Sequence, residues 1–144
     1  MKHILAATDL SETSDAVVAK AFEMAEPFGA SVTLMHVLTE SRLQDLREDM
    51  RSSGTSEAYI DEIVTLMKDS VAEQIERVAD SADASVVVAR GALADQVLER
   101  AGGGSVDLIV LGLRSRSRVG KLIMGSGVQE ILLSTPCPVL GVPI

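Results

Sequence analysis

With no tryptophan, one tyrosine and two phenylalanines, the chain must build its core from Val, Leu, Ile, Ala and Met, a composition suited to buried parallel strands covered by helices. A single cysteine, Cys137, excludes an intramolecular disulfide. The start of the sequence carries no charged segment followed by an apolar signal core and cleavage site, so the expected compartment is the reducing cytoplasm. No apolar run approaches the roughly 20 residues of a membrane-spanning helix, and no membrane association is expected. Basic residues are scarce: 13 Lys and Arg face 21 Asp and Glu, for a net charge of −8. That balance argues against non-specific nucleic-acid binding, which normally requires a basic face. The two histidines, His3 and His36, have no Cys or carboxylate cluster at metal-ligand spacing, and both read as structural.

Several chemical motifs are missing too. The nearest approach to a P-loop, Ser115 to Leu122, lacks the first glycine and the final hydroxyl residue. Gly102, Gly103 and Gly104 precede a strand instead of following one, so they read as a helix stop and not as a phosphate loop or dinucleotide fingerprint. Ser11, Thr13 and Ser14 have no histidine that the sequence would place beside them, which leaves a serine hydrolase without support. Cys137, between Pro136 and Pro138, reads as a packed thiol.

The 144 residues are enough for one domain with one core, and the domain is expected to span 1–144. Apolar runs at His3 to Thr8, Ser31 to Val37, Ala84 to Arg90, Val106 to Gly112 and Pro138 to Ile144 read as buried strands. Between them, helical spacing marks Glu12 to Phe28, capped by Ser11 and stopped by Gly29, then a stripe from Ile60 to Val78 starting near Thr55 or Ser56. Shorter helices follow around Leu93 to Ala101 and Ser126 to Leu133. The polar stretch from Leu38 to Gly54 reads as a long loop that some helix could interrupt. Strands alternating with helices predict an α/β fold: a twisted, doubly wound parallel sheet with right-handed crossovers. Ligands of such sheets sit beyond the carboxyl ends of the strands, where the strand order reverses. A response-regulator receiver would also need an aspartate after the third strand, where Arg90 and Gly91 stand.

After the fourth strand the chain runs Gly112-Leu113-Arg114-Ser115, then nine residues, then Gly125-Ser126 at a helix start. A helix N-terminus offers free N–H groups to phosphate, so Gly125, Ser126, Gly127 and Val128 either cradle phosphate oxygens or shape a turn capped by Ser126. The loop resembles the universal stress protein signature G-x2-G-x9-G-[ST], with Ser115 in place of the second glycine. Similar stretches run from Lys2 to Ser14, Leu34 to Val37, Gly91 to Leu98 and Ser134 to Val142. The resemblance implies a Rossmann-like adenine nucleotide-binding fold of five strands in the order 3-2-1-4-5, and an ATP site. In that site Ala7, Thr8 and Asp9 lie beside ribose and base, and Val37 offers backbone groups to adenine. Leu111, Gly112 and Ser115 approach ribose and phosphates, and the N–H groups from Gly125 to Val128 hold the phosphate tail.

Asp9 is read as a ribose acceptor or as a turn-forming residue. Serine at 115 costs about 1–2 kcal/mol if that position needs positive φ, which would weaken binding about tenfold. The basic run Arg114, Arg116, Arg118 and Lys121 reads as polyphosphate contacts, above all Arg114 and Lys121, or as a solvated loop. The preferred function is a regulatory, stress-response protein that binds ATP, with AMP or cyclic AMP as other adenine ligands and Mg²⁺ or Mn²⁺ held through phosphates. The alternatives are a dimeric interaction protein that binds no nucleotide and, third, a slow ATPase; no catalytic residue is assigned. An unidentified protein partner would read the nucleotide state. A homodimer is expected through the fifth strand, Pro138 to Ile144, an apolar edge that no later segment would cover. Val142→Lys is expected to separate that dimer if its side chain faces the contact.

Overall fold

Apolar runs of five to eight residues become the strands of this protein, and the amphipathic segments between them become its helices. The computed structural model describes residues 1–53, 57–80, 84–114 and 124–144, with the side chains of 50–53 excepted. The elements are β1 (His3–Ala7), α1 (Asp15–Ala25), β2 (Ser31–Leu38), α2 (Glu40–Ser53), α3 (Glu57–Ala79), β3 (Ala84–Arg90), α4 (Leu93–Gly102), β4 (Leu108–Leu113), α5 (Ser126–Ser134) and β5 (Val139–Pro143). The five strands form one parallel sheet in the order β3-β2-β1-β4-β5, as the resemblance implies.

Side chains that alternate along each strand separate the core into two layers. Ile4, Ala6, Leu34 and Val110 pack against Val17, Val18 and Ala21 of α1 and Val71 and Ile75 of α3. On the other face Leu5, Met35, Ile109 and Leu111 meet Ala94, Val97 and Ala101 of α4 and Ile131 of α5. Burying each large aliphatic side chain contributes about 1.5–3 kcal/mol over leaving it exposed, so these two layers dominate the fold's stability. Among the described residues, no helix is long and apolar enough to cross a membrane.

The helix expected over Glu12 to Phe28 is tightened at both ends. Ser11 does cap it, accepting from the Ser14 N–H, but the cap opens a 3-10 turn at Glu12–Ser14. A second such turn, Glu26–Phe28, ends at Gly29 with φ 59, a left-handed conformation that glycine adopts without strain. The larger correction concerns the stretch after β2. What reads as a long loop is the 14-residue helix α2, whose first turn is capped by Thr39 Oγ1 accepting from the Arg42 N–H at 3.3 Å. Among the side chains described, only Leu43 and Leu46 are deeply buried, against Leu38 and Ile60, and so narrow a stripe gives weak periodicity. The expected start of α3, at Thr55 or Ser56, lies outside the described residues.

β5 is an edge strand, but Val142 is 8% exposed and packs in the layer formed with α1 and β1. The condition on which Val142→Lys would separate a dimer, that its side chain faces the contact, is therefore not met. In a strand, a residue that joins the core cannot also point outward.

Candidate functional site

The central strand is short, and this shortness makes the site. β1 stops at Ala7, opposite Met35, whereas β2 continues to Leu38. β4 pairs with β1 only as far as Val110 and then runs on to Leu113. A notch is left in the carboxyl edge of the sheet above β1, between strands whose connections leave in opposite directions.

The ladder directs backbone groups into this notch. Thr8 N–H donates to the Met35 carbonyl (2.8 Å) on one side of β2, and Gly91 N–H to the Leu38 carbonyl (3.0 Å) on the other. Alternation then turns the N–H and C=O of Val37 toward the notch. From the opposite wall, Ile109 N–H donates to Pro138 O (3.0 Å) and Ile144 N–H to Leu113 O (3.1 Å). The odd residues of β4 thus serve β5, and Gly112 faces the notch.

A cavity of about 500 Å³ fills this space. Its walls include Ala7 and, just after β1, Thr8 and Asp9, Val37 from β2, Leu111 and Gly112 from β4 with Arg114 just beyond it, and Gly125 and Val128 at the start of α5. Ser126 and Gly127 lie in the first turn of α5 but not on the wall. Ser115, with Arg116, Arg118 and Lys121, lies outside the described residues. Sequence reasoning missed His36 and Thr39, although both flank Val37 at the end of the same strand. It also missed Ser14 and Val17 at the start of α1 and Leu93, Met124 and Ile144. Ile144 reaches the cavity only through the β4–β5 register, which no local signal reveals.

The glycines differ in what requires them. A Cβ on Gly112 would lie 2.7 Å from Ile144 Cδ1 and 3.1 Å from Val17 Cγ2, so a side chain there would force those two side chains to shift. Gly125 has φ −61, open to any residue, and a Cβ built on it meets nothing within 4 Å among the described residues. Gly125 itself is the N-cap of α5, and it offers no capping side chain; Ser126 is the first helical residue and not the cap. The first intrahelical bond is Gln129 N–H to Gly125 O at 3.1 Å, which leaves the N–H groups of Ser126, Gly127 and Val128 without helical partners at the positive end of the dipole.

Asp9 closes the turn after β1. Its Oδ1 accepts from Ser11 N–H at 2.9 Å and from the Ser11 hydroxyl at 2.5 Å, and its other oxygen pairs with Arg114. Between them Leu10 is held at φ 64, a conformation that costs a branched residue roughly 1–2 kcal/mol. Leu10 N–H donates to Thr8 Oγ1 (3.1 Å), and Leu10 also packs on the α1 layer. The turn-forming role of Asp9 is thus present alongside its place on the cavity wall.

Beneath the cavity lies a polar network. The Thr8 hydroxyl donates to Gln74 Oε1 (2.8 Å), and Gln74 Nε2 donates to Ser14 Oγ (2.9 Å) and to Asp15 Oδ1 (2.8 Å). A carboxylate only accepts, so Asp15 fixes the orientation of the Gln74 amide. Ser14 Oγ donates to Ser11 O at 2.6 Å, and Arg77 holds both Asp15 oxygens, Nη2 reaching Oδ1 at 3.0 Å. No buried side-chain polar atom among the described residues lacks a partner, so the loop after β1 is fixed to α3. The Arg77 guanidinium, helped by Gln74, holds the Asp15 carboxyl below its usual 3.8. A lowered folded-state pKa contributes stability that is present above the ordinary carboxylate value and lost as pH falls through the folded one. Asp15→Asn is expected to melt a few degrees below the parent at pH 7, and the gap should close below about pH 4. Parallel melting curves from pH 7 to 2.5 measure this; a gap that does not change with pH would remove the charge from the explanation.

A family model described as the universal stress protein family matches residues 1–143. Universal stress protein A homolog 1 of Coxiella burnetii is 30% identical over 146 residues, 98% of this chain and 95% of that protein. A universal stress protein of Thermus aquaticus is 43% identical over a 51-residue stretch, 35% of this chain and 37% of its own. Among solved structures, UspA from Lactobacillus plantarum aligns with a TM-score of 0.73 at 20% identity, over 98% of this chain and 97% of that one. A universal stress protein in complex with cAMP gives 0.64 at 18% identity, over 98% and 95%. One from Archaeoglobus fulgidus in complex with dAMP gives 0.58 at 20%, over 98% and 96%. At these identities the structures show a shared fold, and the family model, matching nearly every residue, shows the lineage: the chain belongs to the universal stress protein family.

Proposed function

We propose that this protein binds an adenine nucleotide, ATP, in the notch above β1 and acts as a nucleotide-dependent regulatory protein of the stress response. The observation that carries this reading is the start of α5, where three N–H groups without helical partners stand behind Gly125, whose missing side chain neither its φ nor any packing among the described residues requires. A phosphate tail at that helix end would use both the N–H groups and the space. Val37 then offers its backbone to adenine, Ala7, Thr8 and Asp9 meet ribose and base, and Leu111, Gly112 and Ser115 follow ribose and phosphates. Arg114 would exchange part of its pairing with Asp9 for phosphate charge. A cavity of about 500 Å³ falls within the roughly 300–1,000 Å³ usual for such ligands. The relatives solved with cAMP and dAMP support an adenine ligand and make AMP and cyclic AMP the competitors to test. Among the described residues, no group of three or more His, Cys, Asp or Glu could hold a metal ion. Mg²⁺ or Mn²⁺ would therefore enter with the phosphates and water.

The reading is tested by melting the protein with and without Mg-ATP. A ligand at 100 times its Kd adds about 2.7 kcal/mol, a shift of about 5–10 °C for a domain of this size. No shift at millimolar ATP would leave the interaction-protein reading in its place, and phosphate release over time would identify a slow ATPase.

The same reading includes a homodimer through β5. Even residues of β5 serve β4, so Val139 and Gly141 turn their N–H groups to the open edge, and Leu133, in the last turn of α5, is 87% exposed. An edge of this kind favours antiparallel pairing with a second copy about a two-fold axis.

A further inference from the structure

Six polar side chains stand on the cavity wall: Thr8, Asp9, Ser14, His36, Thr39 and Arg114. Thr8 and Ser14 are engaged with Gln74, Asp9 with Arg114, and the Thr39 oxygen accepts from Arg42 N–H. His36 is different. Its Nδ1 lies 2.9 Å from the Thr8 carbonyl, and because a carbonyl only accepts, Nδ1 carries the proton. This fixes the neutral ring as one tautomer and leaves Nε2 as a bare lone pair. Nε2 has no partner among the described residues, so it is the one polar atom that His36 can offer to an occupant of the cavity. A lone-pair acceptor at this point of the wall favours a ligand that brings an uncharged donor to it over one that brings a carbonyl.

We infer that His36 is a specificity-determining residue whose Nε2 accepts a hydrogen bond from an uncharged donor of the bound nucleotide, the 6-amino group of adenine or a ribose hydroxyl. The inference rests on the nucleotide reading above and adds a residue to it.

The test measures dissociation constants of ATP, ITP, 2′-deoxy-ATP and 3′-deoxy-ATP for the parent, His36→Asn and His36→Gln. Asparagine places its amide nitrogen near the position of Nδ1, keeping the bond to Thr8 but putting nothing at Nε2; glutamine reaches the Nε2 position. The parent should prefer ATP by about three- to tenfold over ITP if the donor is the amine, or over one deoxy analogue if it is a hydroxyl. His36→Asn should lose that preference and His36→Gln should keep part of it. Equal affinity of the parent for all four nucleotides, or an undiminished preference in His36→Asn, would overturn the role of His36 while leaving the nucleotide site standing. Should His36→Asn not fold, the His36→Gln series decides: a preference smaller than the parent's supports the role of His36, and an undiminished one overturns it. If the parent binds none of the four, the nucleotide reading fails and the inference fails with it.

Discussion

Gly125→Val is expected to lose nucleotide binding by about 100-fold or more while folding as the parent does. The two halves of that expectation have separate causes. A branched side chain at 125 would stand where the first phosphate meets the N–H groups of Ser126 and Gly127, and two charge-assisted hydrogen bonds lost at about 1.5–3 kcal/mol each exceed a hundredfold. The fold should tolerate it, because φ at 125 is −61 and the added Cβ meets no atom of the described residues within 4 Å. Valine is a poorer N-cap than glycine, a cost of about 1 kcal/mol or less, or about 2–4 °C in melting temperature. Binding constants with ATP, beside thermal melts of both proteins, give the answer. Tight binding by the Gly125→Val protein would place the phosphates elsewhere.

Val142→Lys is expected to damage the protomer and not the dimer. Val142 lies opposite Gly112 in the β4–β5 register and joins Ile4, Val17 and Val110 in one layer. A lysine there brings an unpaired charge into an apolar layer, costing about 3–5 kcal/mol. The melting midpoint should fall by about 10 °C or more. Sedimentation of the parent at micromolar concentration should show a dimer, and a parent that sediments as a monomer would overturn the strand-five contact. A Val142→Lys protein that is as stable as the parent and yet monomeric would instead show Val142 pointing into an interface.

That substitution also marks where the sequence stops being informative. The five strands and four of the helices were legible because their apolar residues repeat at the period of the element they form. The apolar strand PVLGVPI could be assigned to an edge, but not its faces: with hydrophobic residues at both even and odd positions, only the packing of Val142 beside Gly112 distinguishes inside from outside. α2 was hidden for the opposite reason. Leu43 and Leu46 do follow helical spacing, but they are isolated among charged residues, and what holds them is a small cluster with Leu38 and Ile60 that forms only in the tertiary structure. In the cavity, the signature residues Gly112 and Gly125 were legible as a pair but not as different kinds of glycine. One accommodates Ile144, and the other meets no packing neighbour among the described residues. His36 read as structural because a lone histidine in a strand normally is; its bond to the Thr8 carbonyl depends on β1 ending early.

The buried network below the cavity gives the site its rigidity. Thr8 and Ser14, on the wall, share Gln74 with Asp15, so the loop that would contact ribose is anchored to α3 and not only to its own turn. A loop held this way is in place before a ligand arrives, which reduces the ordering cost of binding.

The central claim is that an adenine nucleotide occupies the notch above β1, and an amide-resolved NMR titration of the parent with Mg-ATP tests it most directly. Saturable shifts are predicted at Ala7, Thr8 and Asp9, at Val37, at Gly112 and at Gly125 through Val128, with the exposed face of α3 around Leu66 unchanged. Saturating ATP that leaves the amides of Ser126, Gly127 and Val128 unmoved would contradict the account.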